Sequence, residues 1–188
     1  MKKNDFEKIT KNMSHSEKLL YVFSLSLSAG GGIQTAHELA FMMKEDFSPS
    51  FTKFLSGCVK KGIIRRISNG IYESVITPTK PTDSIYLAAR KIRASSFKYI
   101  SLESQLSYTG VISQVAMGTL TLMTNGRSGI FDTPYGVIEF IHTKKNLDEI
   151  SKNLYNDKEV RMYRANNEQA IADLKDVGRN LQMIEDYL

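Results

Sequence analysis

Cysteine is almost absent. The single thiol, Cys58, has no second one to pair with, so an intrachain disulfide is excluded, and this usage fits a reducing cytoplasm. The three histidines, His15, His37 and His142, are scattered, and no Cys/His pair shows metal-ligand spacing. No metal and no cofactor are implied. Long apolar runs are missing too. The longest, Leu19 to Leu27, contains Ser24 and Ser26 and is far too short to span a bilayer. Met1-Lys2-Lys3 is not followed by an apolar segment, so no signal peptide is expected. These absences together predict a cytoplasmic protein with no membrane partner.

Catalytic signatures are equally sparse. Gly30-Gly31-Gly32 lacks a following Lys-Ser/Thr and reads as a turn between helices, not a phosphate loop. No G-x-S-x-G nucleophile elbow occurs. The one enzymatic pattern is Asp132 followed by Glu139 on successive expected strands, which could mimic the acidic pair of a metal-dependent nuclease. Such nucleases usually show Glu-x-Lys on the second strand. Here that position is Ile141, and the lysines come late, at Lys144 and Lys145. A turn aspartate and an outward-facing strand glutamate is the better reading, and no enzyme is expected.

What is present is an uneven positive charge. Residues 1–76 hold 11 Lys/Arg against 7 Asp/Glu, a net of +4, whereas residues 77–188 hold 14 against 13. The excess coincides with the most specific stretch of the chain, Gly31 to Ser74. Thr35-x-x-Glu38 is a capping box that opens a short helix, with Ala36, Leu39, Ala40 and Met43 at helical spacing. After a polar turn, Ser48 is the N-cap and Pro49 the first residue of a second helix. Phe51, Phe54, Leu55, Cys58 and Val59 share its buried face, and Gly62 is the expected left-handed C-cap. Lys53, Ser56 and Lys60 point the other way, Thr52 and Gly57 flank them, and no acid interrupts this face. Ile63 to Ile67 and Ile71 to Glu73 read as two strands around Asn69-Gly70, for which a type I′ turn is expected.

This is the layout of a winged helix-turn-helix, which sets one helix in the DNA major groove. The expected DNA-binding residues are Ser50, Thr52, Lys53, Ser56, Lys60, Lys61, Arg65, Arg66 and Asn69. Arg65 and Arg66 lie where a wing meets the phosphate backbone.

The rest of the chain predicts an α+β fold in three segments. Residues 1–76 form the winged helix-turn-helix, including a short amphipathic arm over 1–14 and a long first helix from Ser16 to Ser28. Residues 77–96 are a linker, Thr77 to Thr82, with two prolines that disfavour regular structure, and a bridging helix, Asp83 to Arg93. Residues 97–188 are a small mixed domain. Strands are expected at Tyr99-Ile100, Thr119 to Thr124, Gly129 to Phe131, Val137 to His142 and Arg161 to Ala165. Helices are expected after Ser101, after Asn166 or Asn167, and from Leu181 to Leu188.

Four stretches then carry a resemblance in order: GIIRRISNGIYE (62–73), YISLESQLSYTGVI (99–112), FDTPYGVIEFIHTKK (131–145) and RANNEQAIADL (164–174). Together they resemble the AbiEi-type antitoxins, the regulator half of AbiE abortive-infection toxin–antitoxin systems of phage defence. The resemblance implies an autorepressor that binds inverted repeats in double-stranded operator DNA. It also implies a second domain that counteracts a nucleotidyltransferase-type toxin without needing a stable complex. An antitoxin that clamps its toxin directly is the alternative. Ser101, Ser104, Tyr135 and Glu168 stand in the motifs of the second domain, where a cap, a turn and a helix start are also expected.

Overall fold

The computed structural model describes residues 3–113 and 118–187 and is mixed α+β. Leu188, the last residue of the expected closing helix, and Met1 and Lys2 of the arm lie outside the described residues. The chain divides into two compact units, Met1–Lys91 and Ile92–Leu188.

The first unit is built on helices that the sequence caps firmly. After α1 (Lys3–Thr10), α2 (His15–Ser28) starts from a complete capping box between Ser14 and Glu17. α3 (Ala36–Met43) starts from the Thr35/Glu38 box, and α4 (Pro49–Lys60) from Ser48, whose side chain accepts from the Phe51 N–H. Each such cap contributes about 1 kcal/mol. Leu19, Val22, Phe23, Leu39, Met43, Phe51, Leu55 and Cys58 close one core, with Phe6 of α1 against it. Burying a side chain such as Leu55 contributes roughly 1.5–3 kcal/mol. Gly62 follows α4 with a φ of 70°, the expected left-handed stop.

A three-stranded sheet flanks these helices, in the order β1 (Ile33–Thr35), β3 (Ile71–Ser74), β2 (Ile64–Ser68). β1 was not legible, since three residues carry no periodicity. The hairpin turn also differs from expectation. Only Gly70 takes a positive φ, 69°, and the pairing slips between Arg66 and Ser68. The tip is therefore a bulged turn, not type I′. The extra residue lets one left-handed glycine suffice where type I′ needs two such positions.

The expected linker is folded onto this unit. Glu73 of β3 is fully buried, and its carboxylate accepts from the Thr79 N–H at 2.7 Å and the Thr79 hydroxyl at 2.6 Å. α5 (Pro81–Lys91) then begins two residues before the expected helix and packs against β1. Proline disfavours helix interiors but suits a first turn, where its missing N–H costs nothing. Residues 77–96 thus do not stand between two bodies; those up to Lys91 belong to the first.

The second unit is a six-stranded sheet in the order β6-β7-β5-β4-β9-β8. Its strands are β4 (Lys98–Ile100), β5 (Thr119–Thr124), β6 (Gly129–Thr133), β7 (Gly136–His142), β8 (Leu154–Asp157) and β9 (Met162–Ala165). β4 runs parallel to β9 and β5 parallel to β7; the remaining pairs are antiparallel. α6 (Leu102–Tyr108), the short α7 (Leu147–Ser151) and α8 (Asn167–Val177) complete it, with a 3-10 segment over Leu181–Tyr187. Tyr99, Leu102, Leu106, Met123, Ala170 and Leu174 lie in its core. The turn after β6 is tighter than expected: Asp132 pairs with Val137 inside the ladder. A Cβ at Gly136 would stand 2.3 Å from the Gly118 carbonyl oxygen, so only glycine fits there. β8 and α7 were not anticipated.

Candidate nucleic-acid interface

α4 presents two faces of opposite character. Phe51, Leu55 and Cys58 are buried, whereas Ser50, Thr52, Lys53 and Lys60 are exposed and Ser56 is half-buried. Lys61, the C-cap, is exposed as well. The hydroxyls are held in place by the helix itself. Thr52 donates to the Ser48 carbonyl at 3.2 Å, and Ser56 to the Thr52 carbonyl at 2.9 Å. The Ser50 and Ser48 hydroxyls lie 2.8 Å apart. Each oxygen keeps lone pairs directed outward, so the face offers acceptors, ammonium donors and no carboxylate. The single thiol, Cys58, is buried on the inner face, and burial pushes it up despite Ser16 and Lys61 nearby, which makes it inert.

The acids come just before α4. Glu45 and Asp46 lie in the turn from α3, where Lys44 takes a positive φ of 58°. With His15, Lys44, Ser48, Ser50, Phe51 and Phe54 they line an open cleft of about 600 Å³. His15 stacks on Phe54 at 3.6 Å between ring centroids and holds Glu45 at 2.8 Å. These contacts fix the start of α4 against α2, and no sequence signal pointed to them.

The two arginines of β2 do not act as a pair. Successive strand residues point to opposite faces, and here they have different surroundings. Arg65 is turned to the buried Glu73, with both Nε and Nη2 at 2.8 Å from its carboxylate. It pairs its charge with that of a fully buried carboxylate, a contact the sequence did not suggest for this expected DNA-binding residue. Arg66 is exposed, with its guanidinium 5.7 Å from the Tyr72 ring centre. Asn69 is exposed at the hairpin tip.

In the second unit the acidic pair does not form a metal-binding arrangement. Glu139 accepts from Arg179 Nη1 at 2.8 Å and Nη2 at 2.9 Å, and the same guanidinium holds Glu103 through Nε and Nη2, both at 2.9 Å. Asp132 is exposed on the edge strand β6. The carboxylate a nuclease would need free is occupied by an arginine, and no group of three or more His, Cys, Asp or Glu suited to a metal occurs among the described residues.

The motif residues of this unit meet elsewhere. Asp173 is fully buried and accepts from the Tyr99 hydroxyl at 3.0 Å, the Ser101 hydroxyl at 2.7 Å, Gln169 Nε2 at 2.7 Å and Lys145 Nζ at 3.4 Å. Burial foremost, then the Asp173 charge, pushes the Tyr99 phenol far up. Ser101 stands at the N-cap position of α6, but its side chain makes no cap bond and is used on Asp173. Ser104 bonds across to β5, donating to the Thr119 carbonyl and accepting from the Thr121 N–H. Tyr135 lies in the β6–β7 turn, and Glu168 is exposed in the first turn of α8.

No helix among the described residues is long and apolar enough to cross a membrane. Comparison of the chain with protein-family models finds no match, and comparison with curated proteins finds none either.

Proposed function

We propose that the first unit is a winged helix-turn-helix, with α3 and α4 as the helix pair, the β2–β3 hairpin as the wing and α4 as the groove-reading helix. In this reading the protein is a cytoplasmic, sequence-specific DNA-binding regulator. The observation that carries it is the outward face of α4. Ser50, Thr52, Lys53, Ser56 and Lys60 form a continuous polar and basic strip with no carboxylate. Groove contact needs that combination: short side chains to admit the base edges, and cations to meet phosphates. Arg66 and Asn69 on the wing supply backbone contacts, while Arg65 holds the wing's shape through Glu73.

The antitoxin part of the proposal rests on the four motifs that resemble AbiEi-type antitoxins. On that ground the regulator represses its own toxin–antitoxin operon, and the second unit counteracts a nucleotidyltransferase-type toxin. Titrating the protein against labelled DNA from its own promoter, beside a scrambled duplex, tests the DNA-binding part. Preference for the promoter that is lost in Lys53→Ala/Lys60→Ala supports it; equal binding to both duplexes overturns it. Rescue of cells expressing the toxin gene adjacent to this one tests the second part.

A further inference from the structure

Asparagine followed by glycine occurs at Asn69-Gly70 and at Asn125-Gly126. Asparagine is a thermolabile residue, and a following glycine makes it more so. Glycine has no side chain to shield its own backbone nitrogen, and attack of that nitrogen on the asparagine side-chain amide closes a five-membered ring. The two pairs share this chemistry, so their surroundings decide which one reacts.

The second pair is protected. The Gly126 N–H donates to the Thr124 hydroxyl at 3.0 Å, and the Gly126 carbonyl oxygen lies 2.8 Å from His142 Nδ1. The Asn125 N–H donates to the Phe97 carbonyl at 3.3 Å. A Cβ at Gly126 would stand 2.5 Å from the Ser96 hydroxyl oxygen, so the space beside this glycine is filled. Its nitrogen is engaged and its peptide is held on both sides.

The first pair is open. Gly70 is held through its carbonyl, which accepts from the Ala36 N–H at 2.8 Å. Its own N–H has no acceptor among the described residues, and a Cβ built on it meets nothing within 4 Å. Asn69 is exposed at the hairpin tip, and among the described residues its side-chain amide makes no hydrogen bond. The left-handed glycine that lets the strand reverse also leaves its nitrogen bare beside an amide carbon.

We propose that Asn69 is a modification site, where the Gly70 nitrogen attacks the Asn69 side-chain amide carbon and the wing tip changes from neutral to anionic. The new C–N bond closes a succinimide. The bond from Cγ to the side-chain nitrogen breaks, and that nitrogen leaves as ammonia, carrying the proton given up by Gly70. Water then adds to either ring carbonyl and opens the ring to an aspartate or an isoaspartate. Nothing is oxidised or reduced, and water is the co-reactant. Both products carry a carboxylate where the amide stood. The consequence for DNA rests on the winged-helix reading: a carboxylate at the wing tip repels phosphates, so the protein loses promoter affinity as it ages.

The full-length protein is held at neutral and at mildly alkaline pH, folded and in denaturant, and sampled over time. Peptide mapping by mass spectrometry, with enzymatic methylation of isoaspartate, gives the converted fraction at each pair. In the folded protein, conversion at Asn69 is expected to run several-fold ahead of that at Asn125. It should quicken with pH, because the Gly70 nitrogen must lose its proton. In denaturant the difference should vanish, since the dipeptide alone then counts. Equal conversion at the two pairs in the folded protein, or none at Asn69, overturns the proposal. Promoter binding is read on the same samples. Asn69→Gln keeps an amide but would need a six-membered ring, so it should hold its affinity while the parent loses affinity in step with its converted fraction. Asn69→Asp should bind weakly from the start. Conversion without loss of affinity in the parent, where Lys53→Ala/Lys60→Ala does lose it, overturns the effect on DNA. If that double variant also keeps its promoter affinity, the winged-helix reading fails, and the modification is judged by the mapping alone.

Discussion

Gly57→Ala is expected to make the protein more stable and a poorer binder of DNA. Gly57 lies inside α4, yet neither backbone nor packing requires glycine there. It is not among the positive-φ residues, and a Cβ built on it meets nothing within 4 Å. Glycine in a helix interior costs roughly 0.5–1 kcal/mol relative to alanine, chiefly in backbone entropy. The substitution should recover that amount. For a folding unit of this size it corresponds to a rise in Tm of about 3–6 °C. The added methyl projects from the outward side of α4, one turn after Lys53 and just before Lys60. If that side lies in a groove, the methyl keeps the helix from its closest approach, and losing one good base contact costs about 1–3 kcal/mol. Thermal unfolding and promoter binding of the same preparation give both numbers. A variant that melts higher and binds promoter DNA as tightly as the parent would refute close groove contact at this position. A variant that melts lower would refute the reading of the site as open space.

Lys53→Ala or Ser56→Ala should change which promoter base is preferred, by about 1–3 kcal/mol per lost base contact, as read by binding to a panel of single-base variants. Arg66→Ala should weaken binding to all sequences alike and lower the salt slope by about one unit. Arg65→Ala should instead lower stability by on the order of 1–3 kcal/mol, because the fully buried Glu73 loses the guanidinium that pairs with its charge; a normal melting curve with a reduced salt slope would reverse the two assignments. A fragment ending at residue 76 loses Thr79 and should melt lower than one ending at residue 91. Arg179→Met should destabilise by about 3 kcal/mol near neutral pH, since it leaves Glu103 and Glu139 facing each other. Burial pushes the Glu103 carboxyl up, but Arg179 and Asn180 outweigh it and hold it below its ordinary value. The parent's Glu103 contribution is therefore complete above the unfolded pKa of about 4.3 and is lost as pH falls through the lower folded one, so the gap between parent and variant should narrow in acid.

The first unit's helices were legible because their signals are local. A capping box spans four residues, Ser48-Pro49 marks a helix start by itself, and the apolar register of α4 fixes its inner face. Besides the five-residue α7, the elements not legible in the sequence are two short strands, β1 with three residues and β8 with four. They exist because a neighbouring strand completes their hydrogen bonds. The two prolines between Thr77 and Thr82 predict a linker without regular structure. What orders that stretch is a nonlocal demand, the buried Glu73 carboxylate, which accepts from Thr79 and Arg65. The same logic limited the site. The outward face of α4 follows from a helical wheel. The separation of Arg65 from Arg66 depends on which residue of the neighbouring strand each meets.

Two fully buried carboxylates, Glu73 in the first unit and Asp173 in the second, each sit where separate segments of the chain meet. An isolated buried carboxylate is costly, so its surroundings must supply donors with good geometry. Asp173 draws them from Tyr99 and Ser101 in one motif, Lys145 in another and Gln169 in its own. The order and spacing of these stretches therefore carry a packing constraint: each must bring its donor to the same acceptor. A substitution at Ser101 or Tyr99 strands Asp173 and is expected to disturb the fold before it reports on any partner. Contact with DNA or a toxin needs accessible atoms, and these are offered by Lys53 and Lys60 on α4, outside the four stretches, and by Arg66 on the hairpin and Glu168 on α8, within them. Experiments on function gain most from these exposed positions, where loss of binding can be separated from loss of structure.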